Sequence, residues 1–213
     1  MKNLQTSAQT GGNYMILAGI LFVLVNTILG LLMPWDAPFT NLVSSQAFFN
    51  RLSTATLLML VLTIGTFYLY RFLPTADRLV DKVCFGLAFG GCCALFAHEW
   101  GQTFYLHPLA IASPQGLEAL DGAEGFGLYD FEAVLAAGLY SIGWLAFSIL
   151  LFIRKTYGRL GPLLVVFGFL AVMGLTATLP APWGGVIGAV PLAMGYLTLG
   201  LKLRKMNSAG VAE

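Results

Sequence analysis

The ionisable residues of this chain that could do chemistry are crowded into one stretch. Both histidines, His98 and His107, lie there, together with Glu99, Glu118, Asp121, Glu124, Asp130 and Glu132. No Lys or Arg falls between Lys82 and Arg154, so the stretch carries a negative field that attracts cations and repels anions. Glu118, Asp121 and Glu124 read as charges that solvate an exposed loop. A second group is set apart by depth, because each member lies near one end of an otherwise apolar run: Asn26, Arg51, His98, Glu99, Gln102, Glu132 and Thr176. With a rise of 1.5 Å per residue, His98 and Glu99 sit roughly 7–9 Å inside such a run and Asn26 roughly 10 Å. Polar groups at that depth are costly in lipid and tend to face a cavity or a partner. These seven are the expected ligand-binding residues, lining one polar vestibule. Arg51 is expected either to pair with Glu99 or Glu132 or to clamp an anionic group.

Other chemistries fit poorly. His98, Glu99 and His107 are the candidate metal ligands, but the histidines are nine residues apart and point to opposite sides of a continuous helix. The zinc-protease pattern, with histidines four apart around a glutamate, is absent. Haem held between facing helices needs a second deep histidine, and a retinal needs a lysine inside an apolar run. No Gly-x-Ser-x-Gly element occurs. Cys84, Cys92 and Cys93 contain no Cys-x-x-Cys pair and read as small buried hydrophobes. No cofactor is expected.

The elements that must position these residues follow from composition. The chain is 58% hydrophobic and 10% charged, against about 25% charged in a soluble domain. So little charge cannot solvate a globular surface. Six apolar runs stand out, at 14–33, 51–70, 83–104, 132–153, 162–179 and 185–203, each close to the ~20 residues that cross a bilayer. The expected fold is an all-α, polytopic six-helix bundle forming a single transmembrane domain over 1–213. The first run is too long for a secretory leader and lacks a small-residue cleavage site after it, so it is expected to stay as a span.

Charge then orients the bundle. Of the eleven Lys and Arg, all but Arg51 fall in the N-terminal tail, after the second run, after the fourth, or in the C-terminal tail. Cytoplasmic loops retain Lys and Arg, so both termini are expected in the cytoplasm, with the protein in a plasma membrane (the inner membrane of a bacterium). Trp35, Trp100 and Trp183 mark outer ends, and Tyr14, Tyr68, Tyr70 and Tyr157 inner ones. Gly86, Gly90, Cys93 and Ala97 form a small-residue stripe on the third span, which argues for close packing and a central position. The loop at 105–130 is long enough to carry structure of its own. Ser113-Pro114 looks like a helix start and Gly122 a stop, with Leu117 and Leu120 sharing one face. Pro108 biases His107 towards an extended backbone.

Three function classes follow. A small ligand-binding or accessory membrane protein is favoured, because catalytic motifs are missing and charges within the runs are few. A transporter or channel for a small cation or neutral solute is the first alternative. Against it, the inner halves of the runs lack a polar path, and the spans are read as free of internal proline. An intramembrane enzyme using His98 and Glu99 is the other alternative, although adjacent helical residues point about 100° apart. The expected partners are the lipid bilayer and, for an accessory role, another membrane protein. Nothing in a net charge of +1 points to nucleic acid.

Overall fold

The computed structural model describes residues 2–120 and 128–206. The expected stop at Gly122 and the acids Asp121 and Glu124 lie outside them, as do the side chains of Glu118 and Asp130.

Among the described residues all regular structure is helical. Helix α1 is Lys2–Val23, and it runs on through a π-helical turn, Leu24–Ile28, to a last α turn, Leu29–Leu31. A short helix, α2, follows at Phe39–Ser44, and then α3 at Gln46–Arg71, whose start is capped by the Ser45 hydroxyl accepting from Phe48 N–H at 3.2 Å. Helix α4, Leu79–Gly101, passes through a second π turn, Gln102–Leu106, into α5, His107–Ala112. Helices α6, Pro114–Leu120, α7, Leu128–Arg154, α8, Leu160–Thr176, and α9, Trp183–Arg204, complete the chain.

The six long helices form a ring in sequence order. Each of α1, α3, α4, α7, α8 and α9 packs on the next, and α9 closes the ring on α1. Short connections make neighbours antiparallel, so the start of α1 and the end of α9 lie together: a Cβ on Gly12 would stand 2.2 Å from Arg204 Cγ. We call this the terminal end of the ring. Five stretches are long and apolar enough to cross a membrane: Gln5–Leu31, Gln46–Arg71, Leu79–Ala112, Phe131–Arg154 and Trp183–Arg204. Helix α8 is shorter, and its 17 residues span about 26 Å. The apolar exteriors of these helices suit an integral membrane protein, whose backbone polar groups must be satisfied within each helix.

The third span is one member of the ring and not its centre. The contact face of α4 is made by Ala88, Gly91 and Cys92, all buried. At Gly91 a Cβ would meet Tyr140 Cα at 2.6 Å, and across the same seam a Cβ on Gly143 would meet the Leu87 carbonyl at 2.3 Å. The expected stripe lies off this face: Gly86 and Gly90 have nothing within 4 Å, and Cys93 and Ala97 are exposed. Both ring neighbours of α4 sit on one side of it, which leaves the stripe outside. Cys93 is therefore not the buried hydrophobe that was expected, whereas Cys92 is.

The α4–α7 seam also carries an ion pair that the sequence did not single out. Asp81 is fully buried, and its carboxylate accepts from Arg154 Nη2 at 2.7 Å. Below it the turn to α8 bends through left-handed backbone at Lys155 (φ 57°) and Gly158 (φ 72°). There the buried Tyr157 hydroxyl donates to Leu69 O at 2.6 Å, and burial pushes its phenol well above the usual range.

Inside the ring, the half towards the terminal end is solid. Trp144, Phe147, Tyr196, Leu62, Leu151 and Leu199 are fully buried. Trp144 Nε1 donates to Cys92 Sγ at 3.1 Å, and the Tyr140 and Tyr196 hydroxyls meet at 2.8 Å. Pro191 lies inside α9, so the expectation of spans without internal proline does not hold; packing on α1 and α8 carries the helix through to Arg204.

The opposite end is covered by α2, α5 and α6. Met33, Val43, Phe48, Leu52, Ala110 and Leu117 form a small core of their own beneath this cap. The helix starting at Pro114 is present and Leu117 is buried as its spacing suggested. The preceding segment differs from expectation, because His107 is helical (φ −62°, ψ −49°) despite Pro108. Its N–H bonds back to Gln102 O, closing the wider π turn, and Pro108 then opens α5 at a position where no donor is required.

These contacts make opposite demands on two glycines of the same helix pair. Gly143→Val should destabilise the protein by more than about 2 kcal/mol, because backbone lies where the side chain must go. Gly90→Val on the open face should change stability by no more than ~0.5 kcal/mol. Denaturation followed in mixed detergent micelles checks both.

Candidate functional site

A chamber of about 250 Å³ occupies the ring on the side away from the terminal end, and all six long helices line it. Its walls are apolar, formed by Phe22, Leu58, Met59, Leu95, Phe169 and Leu192. Five polar residues interrupt them: Asn26 from α1, Arg51 from α3, Glu99 from α4, and Tyr140 and Ser141 from α7. Tyr140 forms part of the floor, its hydroxyl meeting that of Tyr196 where the solid half begins.

The chamber adjoins a mouth of about 260 Å³ bounded by Gly30, Trp35, Thr176 and Pro182. Asn26, Arg51 and Gly185 line both spaces. Arg51 stands at the neck, its guanidinium carbon 5.8 Å from the centre of the Trp35 ring. Trp35 is itself fixed by donating Nε1–H to Gly30 O at 2.7 Å. The backbone is irregular here for a physical reason. The π turn at Leu24–Ile28 places Asn26 on the inner face, and its side-chain amide donates to Phe22 O at 3.1 Å.

Two charged groups face the chamber without meeting. No ion pair within 4.0 Å joins Arg51 to Glu99 or to Glu132, so the expected pairing is not made among the described residues. Arg51 Nε and Glu99 Oε2 are both buried with no hydrogen-bond partner among them. A buried polar atom left unpaired costs about 1–3 kcal/mol, and more when charged. Arg51 and Glu99 both line the chamber, and so bring a donor-bearing and an acceptor-bearing side chain to one space.

His98 does not share this chamber. It is buried against α7, where its Nδ1–H donates to the Glu132 carboxylate and its Nε2 accepts from the Gln102 amide. These residues border a separate shallow depression with Ala97, Gly101 and Tyr105. The expected single vestibule is therefore two places. Asn26, Arg51 and Glu99 line the chamber, and Thr176 joins Asn26 and Arg51 at its mouth. His98, Gln102 and Glu132 form a polar joint between α4 and α7. Consecutive residues on a helix diverge by about 100°, so a His98 turned to α7 sends Glu99 inwards.

The three metal candidates are likewise dispersed. His107 lies in the cap, its Nδ1 2.6 Å from Val43 O and its ring against Phe48 and Phe49. Sequence reasoning also missed chamber residues. Tyr140 and Ser141 also line the chamber, and neither is among the seven residues that depth singled out. The available signal was their position on the face of α7 next to Trp144, which is fully buried. Comparison with family models, with curated proteins and with solved structures yields no match.

The two places should respond differently to substitution. Glu99→Gln replaces a carboxyl whose buried Oε2 has no hydrogen-bond partner, so stability should hold or rise. His98→Ala removes a contact to Glu132 across the seam and one to Gln102 along its own helix, and should lower stability by about 1–3 kcal/mol. Unfolding of the purified variants in mild detergent distinguishes these outcomes.

Proposed function

We propose that this is a six-span membrane protein, a single transmembrane domain with both termini in the cytoplasm, that binds a small molecule in the chamber between its helices. The observation that carries the binding reading is the pairing of apolar walls with Arg51 and Glu99, whose buried Nε and Oε2 lack partners. Ligand sites in helical bundles have this composition, mostly apolar with a few convergent polar groups. The solid half around Trp144 and Tyr196 supports binding over passage, since fully buried side chains fill the ring between the chamber and the terminal end. Arg51 and Glu99 would fix the ligand's polar group, Asn26 and Ser141 would add hydrogen bonds, and Phe22, Met59 and Phe169 would hold its apolar body.

The six-span count and the orientation rest on the charge asymmetry and on counting α8 as a short span. The mouth then faces outwards, flanked by Trp35 and Trp183, while Arg71, Arg78, Arg159 and Lys202 remain inside. An impermeant thiol reagent applied to intact cells checks this in a background without the native cysteines. Asp36→Cys should be labelled and Asp77→Cys only after permeabilisation; the reverse result rejects the orientation.

Binding is tested by native mass spectrometry of protein purified in mild detergent. The native chain should release a small molecule of defined mass on activation. Arg51→Met, folded to the same degree, should carry about tenfold less, the equivalent of ~1.4 kcal/mol. Identical spectra for the two proteins would reject the chamber as a binding site.

A further inference from the structure

The chamber has a second opening, through the side of the ring. Of the six helix contacts that close the ring, α7–α8 is the loosest. Towards the terminal end this seam is shut. Ser148 of α7 is fully buried, as is Val165 of α8, and Phe169 is nearly so. Moving away from that end along the same helix faces, burial is lost. On α7, Ser141 is partly exposed and Ala137 is exposed; on α8, Met173, one turn beyond Phe169, is 57% exposed. Ala137, Ser141 and Met173 all line the chamber as well. Residues that both line an interior space and lie open at the bundle's apolar exterior mark a gap in its wall. Helix α8 ends at Thr176, close above it.

The surface around the gap is apolar, with Val134, Leu135, Leu170 and Met173 exposed. A molecule dissolved in lipid reaches the chamber here without crossing water. The chamber's volume, about 250 Å³, falls below the ~300–1,000 Å³ of pockets that hold drug-sized ligands. It suits a head group and the start of one chain, with the remainder lying in the seam. At the head, Arg51 offers guanidinium donors and Glu99 carboxylate acceptors, both residues lining the chamber. A hydroxyl-bearing head matches both, because one hydroxyl accepts from the guanidinium while the same or a neighbouring hydroxyl donates to the carboxylate.

We propose that the ligand is a single-chain amphiphile with a small hydroxylated head, drawn from the bilayer through the α7–α8 seam and held by Arg51 and Glu99. This rests on the chamber being a binding site, as argued above, and adds the class of ligand and its route.

The probe is a monoacylglycerol carrying a photoactivatable diazirine in its chain, added to the protein in nanodiscs of zwitterionic phospholipid. Irradiation should give adducts on peptides covering 137–141 and 169–173. Met173→Trp, and independently Ala137→Phe, should reduce them about tenfold at unchanged melting temperature, as should Arg51→Met, while Thr176→Trp at the mouth leaves them intact. Adducts abolished by Thr176→Trp but not by the seam variants would overturn the lateral route and leave the binding reading standing, with a water-soluble ligand. Seam adducts indifferent to both Arg51→Met and Glu99→Gln would mean ordinary annular lipid, and the proposal falls. If native spectra also show nothing bound in the chamber, the binding reading falls with it.

Discussion

The seam between α4 and α7 sets the geometry of everything that matters in this protein. Gly91 and Gly143 let the two backbones touch, and polar contacts pin the seam near both ends: Asp81 with Arg154, and His98 with Glu132. Rotation of α4 about its axis would break all of them together. The seam thereby fixes which way each remaining side chain of α4 points. Glu99 follows His98 by one residue, so the contact that holds His98 on α7 is also what turns Glu99 into the ring. A carboxylate in that position would otherwise prefer the headgroup region, where water solvates it.

A buried ion pair such as Asp81–Arg154 specifies more than it stabilises. Removing two charges from water costs several kcal/mol per ion, and their mutual attraction roughly offsets that cost. With the His98–Glu132 contact at the other end, the pair excludes alternative registers of two apolar helices that could otherwise slide or rotate, since leucine and phenylalanine pack in many ways. The glycine contact supplies the close approach that lipid cannot provide by a hydrophobic drive. A rigid pair then supports the looser side of the ring, where α7 meets α8.

Much of this architecture was legible in the sequence because lipid imposes a simple rule on it. The apolar runs located all six long helices to within a few residues, apart from the polar start of α1 and the extension of α4 to Ala112. Those two extensions depend on tertiary contact: Gly11 and Gly12 lie against Tyr68 and Arg204, and the cap holds His107. Depth grouped Asn26, Arg51 and Glu99, which line one chamber. It could not separate them from His98, Gln102 and Glu132, because depth along a helix says nothing about direction around it. The stripe at Gly86 and Gly90 failed for a related reason, since small residues on one face permit close packing without requiring it. Asp81 was hidden among Arg71, Arg78 and Lys82, where a carboxylate looks like ordinary surface charge. Its burial shows only once α7 delivers Arg154.

The length of α8 has a consequence for the membrane itself. Taken as a span, it reaches about 26 Å beside neighbours of 22 and 27 residues, against a hydrocarbon core of ~30 Å. Such a mismatch is met by local thinning of the bilayer, at a fraction of a kcal/mol per Å. The protein would then sit in an asymmetric collar of lipid, thinnest along one flank of its circumference. Thinned lipid is compressed and its chains are disordered, so that flank would exchange lipid more readily than the rest. It would also bias the protein towards thinner membranes, making bilayer thickness a determinant of where in a cell it accumulates.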